Sequence, residues 1–209
     1  MPFELLKSLR SLKQLDLGGN ALQVVKEFWF NKPSYNLSLL YLPQNEIEVI
    51  EPFAFADLDG LILLDLSENS IARLQRNMFP KKFSSLRFIY LSYNKITALP
   101  SNIFTDMPSL RNIYLDFNHI YTLDADAWSP VWAQIKILDL LGNNVTCNCG
   151  IYWMTEVNLP PRFYGECHQP HSLRGHPLND LWPWHISEAP EMANERCSSI
   201  VTSRHSLPN

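Results

Sequence analysis

The sequence predicts an α/β solenoid, a curved stack of short coils that each place one parallel strand on the concave side. Three observations predict it. Leucine accounts for 31 of the 209 residues. Those leucines recur in one register along two thirds of the chain, and all four cysteines fall after the last register.

The registers follow the pattern Leu-x-x-Leu-x-Leu-x-x-Asn-x-Leu. They run Leu12, Leu15, Leu17, Asn20, Leu22; then Leu37, Leu40, Leu42, Asn45, Ile47; then Leu61, Leu64, Leu66, Asn69, Ile71. The next three are Leu86, Ile89, Leu91, Asn94, Ile96; Leu110, Ile113, Leu115, Asn118, Ile120; and Ile135, Leu138, Leu140, Asn143, Val145. The asparagines step by 24 or 25 residues, and a second column follows each by ten: Phe30, Phe55, Phe79, Phe104, Trp128. This is the pattern of a leucine-rich-repeat array. The period of two in Leu-x-Leu buries both leucines on one side of a short strand and turns the intervening residue outward. No coil can bury its apolar side alone, so neighbours must stack around a continuous core. The Asn amide, with donors and an acceptor, is suited to satisfy backbone groups where the strand bends away. The aromatic column should fill the wider convex side.

Taken in order, residues 1–11 read as a partial repeat. Pro2, Leu6 and Leu9 precede Asn20 by the offsets at which Pro100, Phe104 and Met107 precede Asn118. Residues 12–145 are six repeats, 146–199 a cysteine-rich C-terminal cap and 200–209 a tail. The array is thus expected to be a fragment of a longer one.

The end of the chain resembles the C-terminal cap of extracellular animal leucine-rich-repeat proteins. The matching residues are Cys147-Asn148-Cys149 after the sixth repeat, Trp153, Cys167-His168-Gln169-Pro170, Ser172-Leu173-Arg174-Gly175-His176-Pro177-Leu178, Leu181 and Cys197. In layout the chain resembles Toll-like and variable lymphocyte receptors. Two departures stand out: the stretch from Cys149 to Cys167 is short, and that from Leu181 to Cys197 is long. The resemblance implies a disulfide-stapled C-terminal cap with bridges Cys147–Cys167 and Cys149–Cys197, one of three connectivities open to four cysteines. A zinc site on the Cys-x-Cys pair with His168, His171 and His176 is the competing reading, but the usual Cys-x₂₋₄-Cys spacing is absent. Sequons at Asn36-Leu37-Ser38 and Asn144-Val145-Thr146 agree with an oxidising, extracellular setting.

The remaining composition excludes other classes. With 46% apolar and 18% charged residues the chain is not disordered, and a net charge of −4 argues against a nucleic-acid partner. Seven glycines leave little room for a phosphate-cradling loop. No metalloprotease, nucleophile-elbow, Walker or dinucleotide motif occurs. Asp57-Leu58-Asp59-Gly60 lacks the later positions of a calcium loop and reads as a turn. No apolar run approaches the ~18 residues of a membrane span, so any signal peptide or anchor would lie outside this sequence. The expectation is a non-enzymatic binding module without metal or cofactor.

An extended concave surface is what a solenoid offers a partner. Its central outward column reads Asp16, Tyr41, Asp65, Tyr90, Tyr114, Asp139, flanked by Gln14, Leu39, Leu63, Phe88, Asn112, Ile137 and by Gly18, Pro43, Ser67, Ser92, Asp116, Leu141. Lys13, Arg87, Arg111 and Lys136 form a basic file further out. The candidate ligand-binding residues are Tyr41, Arg87, Phe88, Tyr90, Tyr93, Arg111, Tyr114 and Phe117, since aromatics beside arginine are the composition of protein-binding hot spots. The same residues also suit plain strand filler. Trp182, Trp184 and His185 in the long cap segment are a second candidate, either gripping ligand as an overhanging cap loop or filling the cap core beneath Trp153. The partner expected is a protein or a microbial surface ligand, glycan and lipid included. An immune receptor is the first reading and a cell-adhesion or matrix protein the alternative.

Overall fold

The computed structural model describes residues 11–27, 29–30 and 37–187. Seven three-residue strands form one parallel sheet: β1 (Gln14–Asp16), β3 (Leu39–Tyr41), β5 (Leu63–Asp65), β6 (Phe88–Tyr90), β7 (Asn112–Tyr114), β8 (Ile137–Asp139) and β9 (Arg162–Tyr164), in that spatial order. Neighbours pair in the register of the repeat, so Leu40, Leu64, Ile89, Ile113 and Leu138 stand side by side. From β3 to β8 the middle residue is buried and its two neighbours are half-buried, as the period of two requires.

Strand β9 lies inside the segment read as cap. It extends the sheet by pairing Ile137 with Arg162, Leu138 with Phe163 and Asp139 with Tyr164. Phe163 follows Leu138 by 25 residues and takes its place in the core. The cap therefore continues the solenoid by one strand before it closes it.

The second, two-stranded sheet pairs β2 (Val24–Val25) with β4 (Val49–Ile50). Only these first two coils have β-branched pairs at that position; the later ones carry Arg73-Leu74, Ala98-Leu99 and Thr122-Leu123. β-branched residues fit extended pairing best, which accounts for the difference.

The asparagine column forms a ladder that ties each coil to the one before. Asn94 Nδ2 donates to Leu91 O and Ser92 O in its own coil and to Leu66 O in the preceding one, while its Oδ1 accepts from Ile71 N–H at 2.9 Å. Asn45, Asn69, Asn118 and Asn143 repeat the arrangement, and all five are buried. Behind them the aromatic column is buried and in ring contact, with Phe30–Phe55 at 5.9 Å, Phe55–Phe79 at 6.0 Å and Phe104–Trp128 at 5.3 Å. Burying each ring contributes roughly 1.5–3 kcal/mol. The convex side is otherwise made of turns, short 3-10 segments such as Arg76–Met78 and Trp132–Gln134, and the one-turn helix α1 (Ala125–Trp128).

In the cap, Cys147 and Cys167 form a disulfide with their Cα atoms 5.6 Å apart. Cys149 is also disulfide-bonded, and Cys197, the partner implied by the resemblance, lies outside the described residues. So do the sequon Asn36, most of the partial repeat at 1–11 and the tail at 200–209. Trp153 donates its indole N–H to Leu123 O at 2.8 Å and packs edge-on against Trp132 at 4.8 Å, joining the cap to the last coils. No described helix is long and apolar enough to cross a membrane.

Candidate functional site

The parallel register places the central outward residues in one row across the sheet: Asp16, Tyr41, Asp65, Tyr90, Tyr114, Asp139 and Tyr164. Tyr90 and Tyr114 stack face to face, with centroids 4.6 Å apart and planes 2° from parallel. Strand spacing alone, about 4.8 Å, sets that separation. Tyr164, exposed on β9, joins the row although the sequence reading stopped at Asp139. The signal was present in the 25-residue step from Asp139.

A second aromatic pair flanks the first. Tyr93 and Phe117 stack at 4.5 Å, and about half of each side chain is exposed (52% and 49%). Both have positive φ (55° and 52°), as do Gly19, Gln44, Glu68 and Gly142 at the same place in their coils. The left-handed conformation costs a non-glycine residue of the order of 1–2 kcal/mol. It is held by the ladder: Tyr93 N–H donates to Asp116 O at 2.9 Å and Phe117 N–H to Leu141 O at 2.7 Å. Beyond Phe117 the ladder meets Gly142, where a Cβ would lie 2.7 Å from the Phe117 ring. Glycine at this position makes room for the ring to lie over the sheet edge.

The carboxylates of the face are bound on one side only. Asp65 Oδ1 accepts from Ser67 N–H at 2.9 Å and Ser67 O–H at 2.6 Å; Asp139 Oδ1 accepts from Leu141 N–H at 3.1 Å. Ser92 O–H donates to Asp116. Burial pushes the Asp139 carboxyl above its ordinary value, opposed by the Leu141 N–H and reinforced by the charge of Asp116. The Tyr90 hydroxyl is also pushed up, first by burial and then by Tyr114, Asp65 and Tyr41. Burial leads in both shifts, and nearby carboxylate and phenol groups add to it.

The arginines behave differently from each other. Arg87 is exposed at the start of β6, whereas the Arg111 guanidinium donates to Pro108 O at 3.0 Å and Leu110 O at 2.9 Å in its own turn. Arg111 thus braces the chain ahead of β7. Phe88 is half-buried on the flanking column, level with Leu63 and Asn112. Tyr41, Tyr90, Tyr93, Tyr114 and Phe117 are brought together on the sheet; Arg111 has its head group occupied.

The cap residues form a separate cluster. Trp182 and Trp184 stack at 5.1 Å and are half exposed (51% and 50%), and His185 Nδ1 accepts from Trp182 N–H. The reading in which they fill the cap core is corrected: Leu181, just before helix α2 (Pro183–Ser187), and Ile186 within it are buried there, while both indoles stand half exposed. Asn144, the sequon inside the described residues, is exposed. The zinc reading of the Cys147–Cys149 pair is displaced, since Cys147 is bonded to Cys167 and Cys149 is disulfide-bonded too.

The chain belongs to the leucine rich repeat family, whose profile matches residues 35–80, 63–120 and 84–145. Among solved structures it is similar to a chain of the octameric complex of Latrophilin 3, Unc5D and FLRT2 (LRR), at a TM-score of 0.72 and 22% identity over 82% of this chain. It is similar to a chain of the Toll–Spatzle complex of Drosophila, at 0.65 and 17% over 79%, and of the TLR13–ssRNA13 complex, at 0.54 and 29% over 63%. It spans 53%, 22% and 18% of those chains, respectively. None of the curated proteins compared matches the chain.

Proposed function

We propose that this chain is a non-catalytic, extracellular recognition module that binds a protein or microbial surface ligand on its concave face, as part of an immune receptor. The observation that carries the reading is the paired aromatic surface on the parallel sheet, the half-buried Tyr90 on Tyr114 and the half-exposed Tyr93 on Phe117. Aromatics already stacked and ordered lose little freedom on binding, which is why such residues anchor interfaces. The disulfide supports an oxidising compartment. Carboxylates along the face disfavour nucleic acid, although one structural neighbour is described in complex with single-stranded RNA.

Cell adhesion is the alternative, favoured by the similarity to a chain from an assembly of Latrophilin 3, Unc5D and FLRT2. Screening the soluble chain against bacterial surface components and host cell-surface ectodomains separates the two. Binding to a microbial component supports the immune role, and binding to host ectodomains alone overturns it in favour of adhesion. In either case Tyr90→Ala/Tyr114→Ala should weaken the interaction at least tenfold while leaving the folded signal intact. Unchanged affinity would move the site off the concave face, with Trp182 and Trp184 next to test.

A further inference from the structure

The central row of the sheet has an internal symmetry. Read across the strands it runs Tyr41, Asp65, Tyr90, Tyr114, Asp139, Tyr164, so the stacked tyrosine pair is flanked on each side by a carboxylate and then another tyrosine. Asp65 therefore stands between Tyr41 and Tyr90, and Asp139 between Tyr114 and Tyr164. Each carboxylate is steadied through Oδ1, by Ser67 or by Leu141, and among the described residues Oδ2 of each takes no hydrogen bond.

A carboxylate between two phenol rings is a seat for a cation. Guanidinium or ammonium gains a charge-assisted hydrogen bond from the acid and cation–π attraction from the rings. The basic residues stand in a file beyond the outward columns, at Lys13, Arg87, Arg111 and Lys136. The three outward columns of β1, β3 and β5 to β8 hold four acidic residues, Asp16, Asp65, Asp116 and Asp139, and no lysine or arginine. Arg111, at the margin, spends its head group on Pro108 O and Leu110 O. Within those columns the complementary charge is left to a partner.

We propose that the concave face docks an extended polypeptide segment of the partner carrying two basic side chains four residues apart, one seated at Asp65 and one at Asp139. This rests on the concave-face reading above. The spacing follows from the sheet: Asp65 and Asp139 lie three strands apart, about 14 Å at about 4.8 Å per strand, and four residues of extended chain span about 13 Å. Residues i and i+4 of an extended segment also point to the same side, and so does i+2, which falls over the Tyr90–Tyr114 stack. A spacing of two reaches only about 7 Å and cannot fill both seats.

The test uses the full chain and labelled nine-residue peptides rich in Thr and Ser, with Tyr at position 5. One peptide has Arg at positions 3 and 7, a second has Arg at 3 and 4, and a third has Glu at 3 and 7. Fluorescence anisotropy should show the 3/7 arginine peptide binding about tenfold tighter than the 3/4 peptide, and no binding of the glutamate peptide. Asp65→Asn and Asp139→Asn should each weaken the 3/7 peptide about tenfold, the worth of one charge-assisted contact. Glu48→Gln and Asp59→Asn, equal charge changes at exposed positions off the sheet, should leave it unchanged. Equal affinity for the two arginine spacings, no binding of either, or indifference to Asp65→Asn and Asp139→Asn overturns the proposal. If those aspartate variants bind a ligand from the screen normally while Tyr90→Ala/Tyr114→Ala does not, the concave face stands and only the cationic seats fail. If neither pair of variants matters, both readings fail.

Discussion

Replacing Asn118 with alanine removes one rung of the ladder, and the structure sets the cost. The amide is 2% exposed and makes four hydrogen bonds: Nδ2 to Leu91 O (2.9 Å), Leu115 O (3.0 Å) and Asp116 O (3.3 Å), and Oδ1 from Ile96 N–H (3.0 Å). The three carbonyls keep other donors, since Leu91 O still accepts from Asn94, Leu115 O from Asn143 and Asp116 O from Tyr93 N–H. Ile96 N–H keeps none. One orphaned buried donor costs about 1–3 kcal/mol, and the small void left by the amide adds to it, for a total of about 2–4 kcal/mol. In a chain of this length that corresponds to roughly 5–15 °C in Tm. Asn20→Ala is the internal control. Asn20 is exposed and donates only to Leu17 O and Gly18 O, and Leu17 O retains Asn45, so its loss should cost under about 1 kcal/mol. Thermal and urea unfolding followed by circular dichroism reads both. Equal destabilisation by the two variants would refute the reasoning, because it would show that burial and the orphaned Ile96 N–H do not govern the ladder's energy.

Gly142→Ala should cost about 1–3 kcal/mol in urea unfolding, through a positive φ and a Cβ that strikes the Phe117 ring, and should weaken ligand binding by disturbing the Tyr93–Phe117 stack. Asp139 holds its proton more tightly in the folded than in the unfolded chain, so the wild type loses stability as pH rises from the ordinary aspartate range through the raised folded value. Asp139→Asn should therefore be the more stable protein at pH 7, with the difference vanishing in acid, as a pH series of melts will show. Cys147→Ala/Cys167→Ala opens a loop with a sequence separation of 20 and should lower stability by about 3 kcal/mol, read from denaturant midpoints. Secreted from a eukaryotic cell, the chain should carry an N-glycan on exposed Asn144, detected as a mass shift on glycosidase treatment and abolished by Thr146→Ala.

The fold was legible because a solenoid writes its geometry into the sequence at fixed offsets. Leu40, Leu64, Ile89, Ile113 and Leu138 are buried side by side because the period places them there, and the asparagine amides bond as their donor and acceptor inventory requires. What the period did not carry was anything decided by rotamer or by dissimilar residues doing one job. The left-handed column contains Gly19, Gln44, Glu68, Tyr93, Phe117 and Gly142, and only the two glycines announce a positive φ. Strand β9 was hidden because Pro160, Phe163 and Gly165 replace the expected leucines and asparagine gives way to His168. The composition of the aromatic patch was readable, but the bracing role of Arg111 was not, since a long side chain at the surface can turn to either side of its strand. In the cap, two tryptophans and two aliphatic residues competed for one small core, and the aliphatic residues Leu181 and Ile186 occupy it.

The central claim is that the stacked aromatics of the sheet meet the partner. Hydroxyl-radical footprinting of the chain, alone and bound to a ligand recovered from the binding screen, tests it at the residues themselves. The account predicts strong protection of Tyr90, Tyr93, Tyr114 and Phe117 on binding, with Phe53 on the convex side oxidised equally in both samples. Protection of Phe53, or of Trp182 and Trp184 alone, with the four sheet aromatics unchanged, would contradict it.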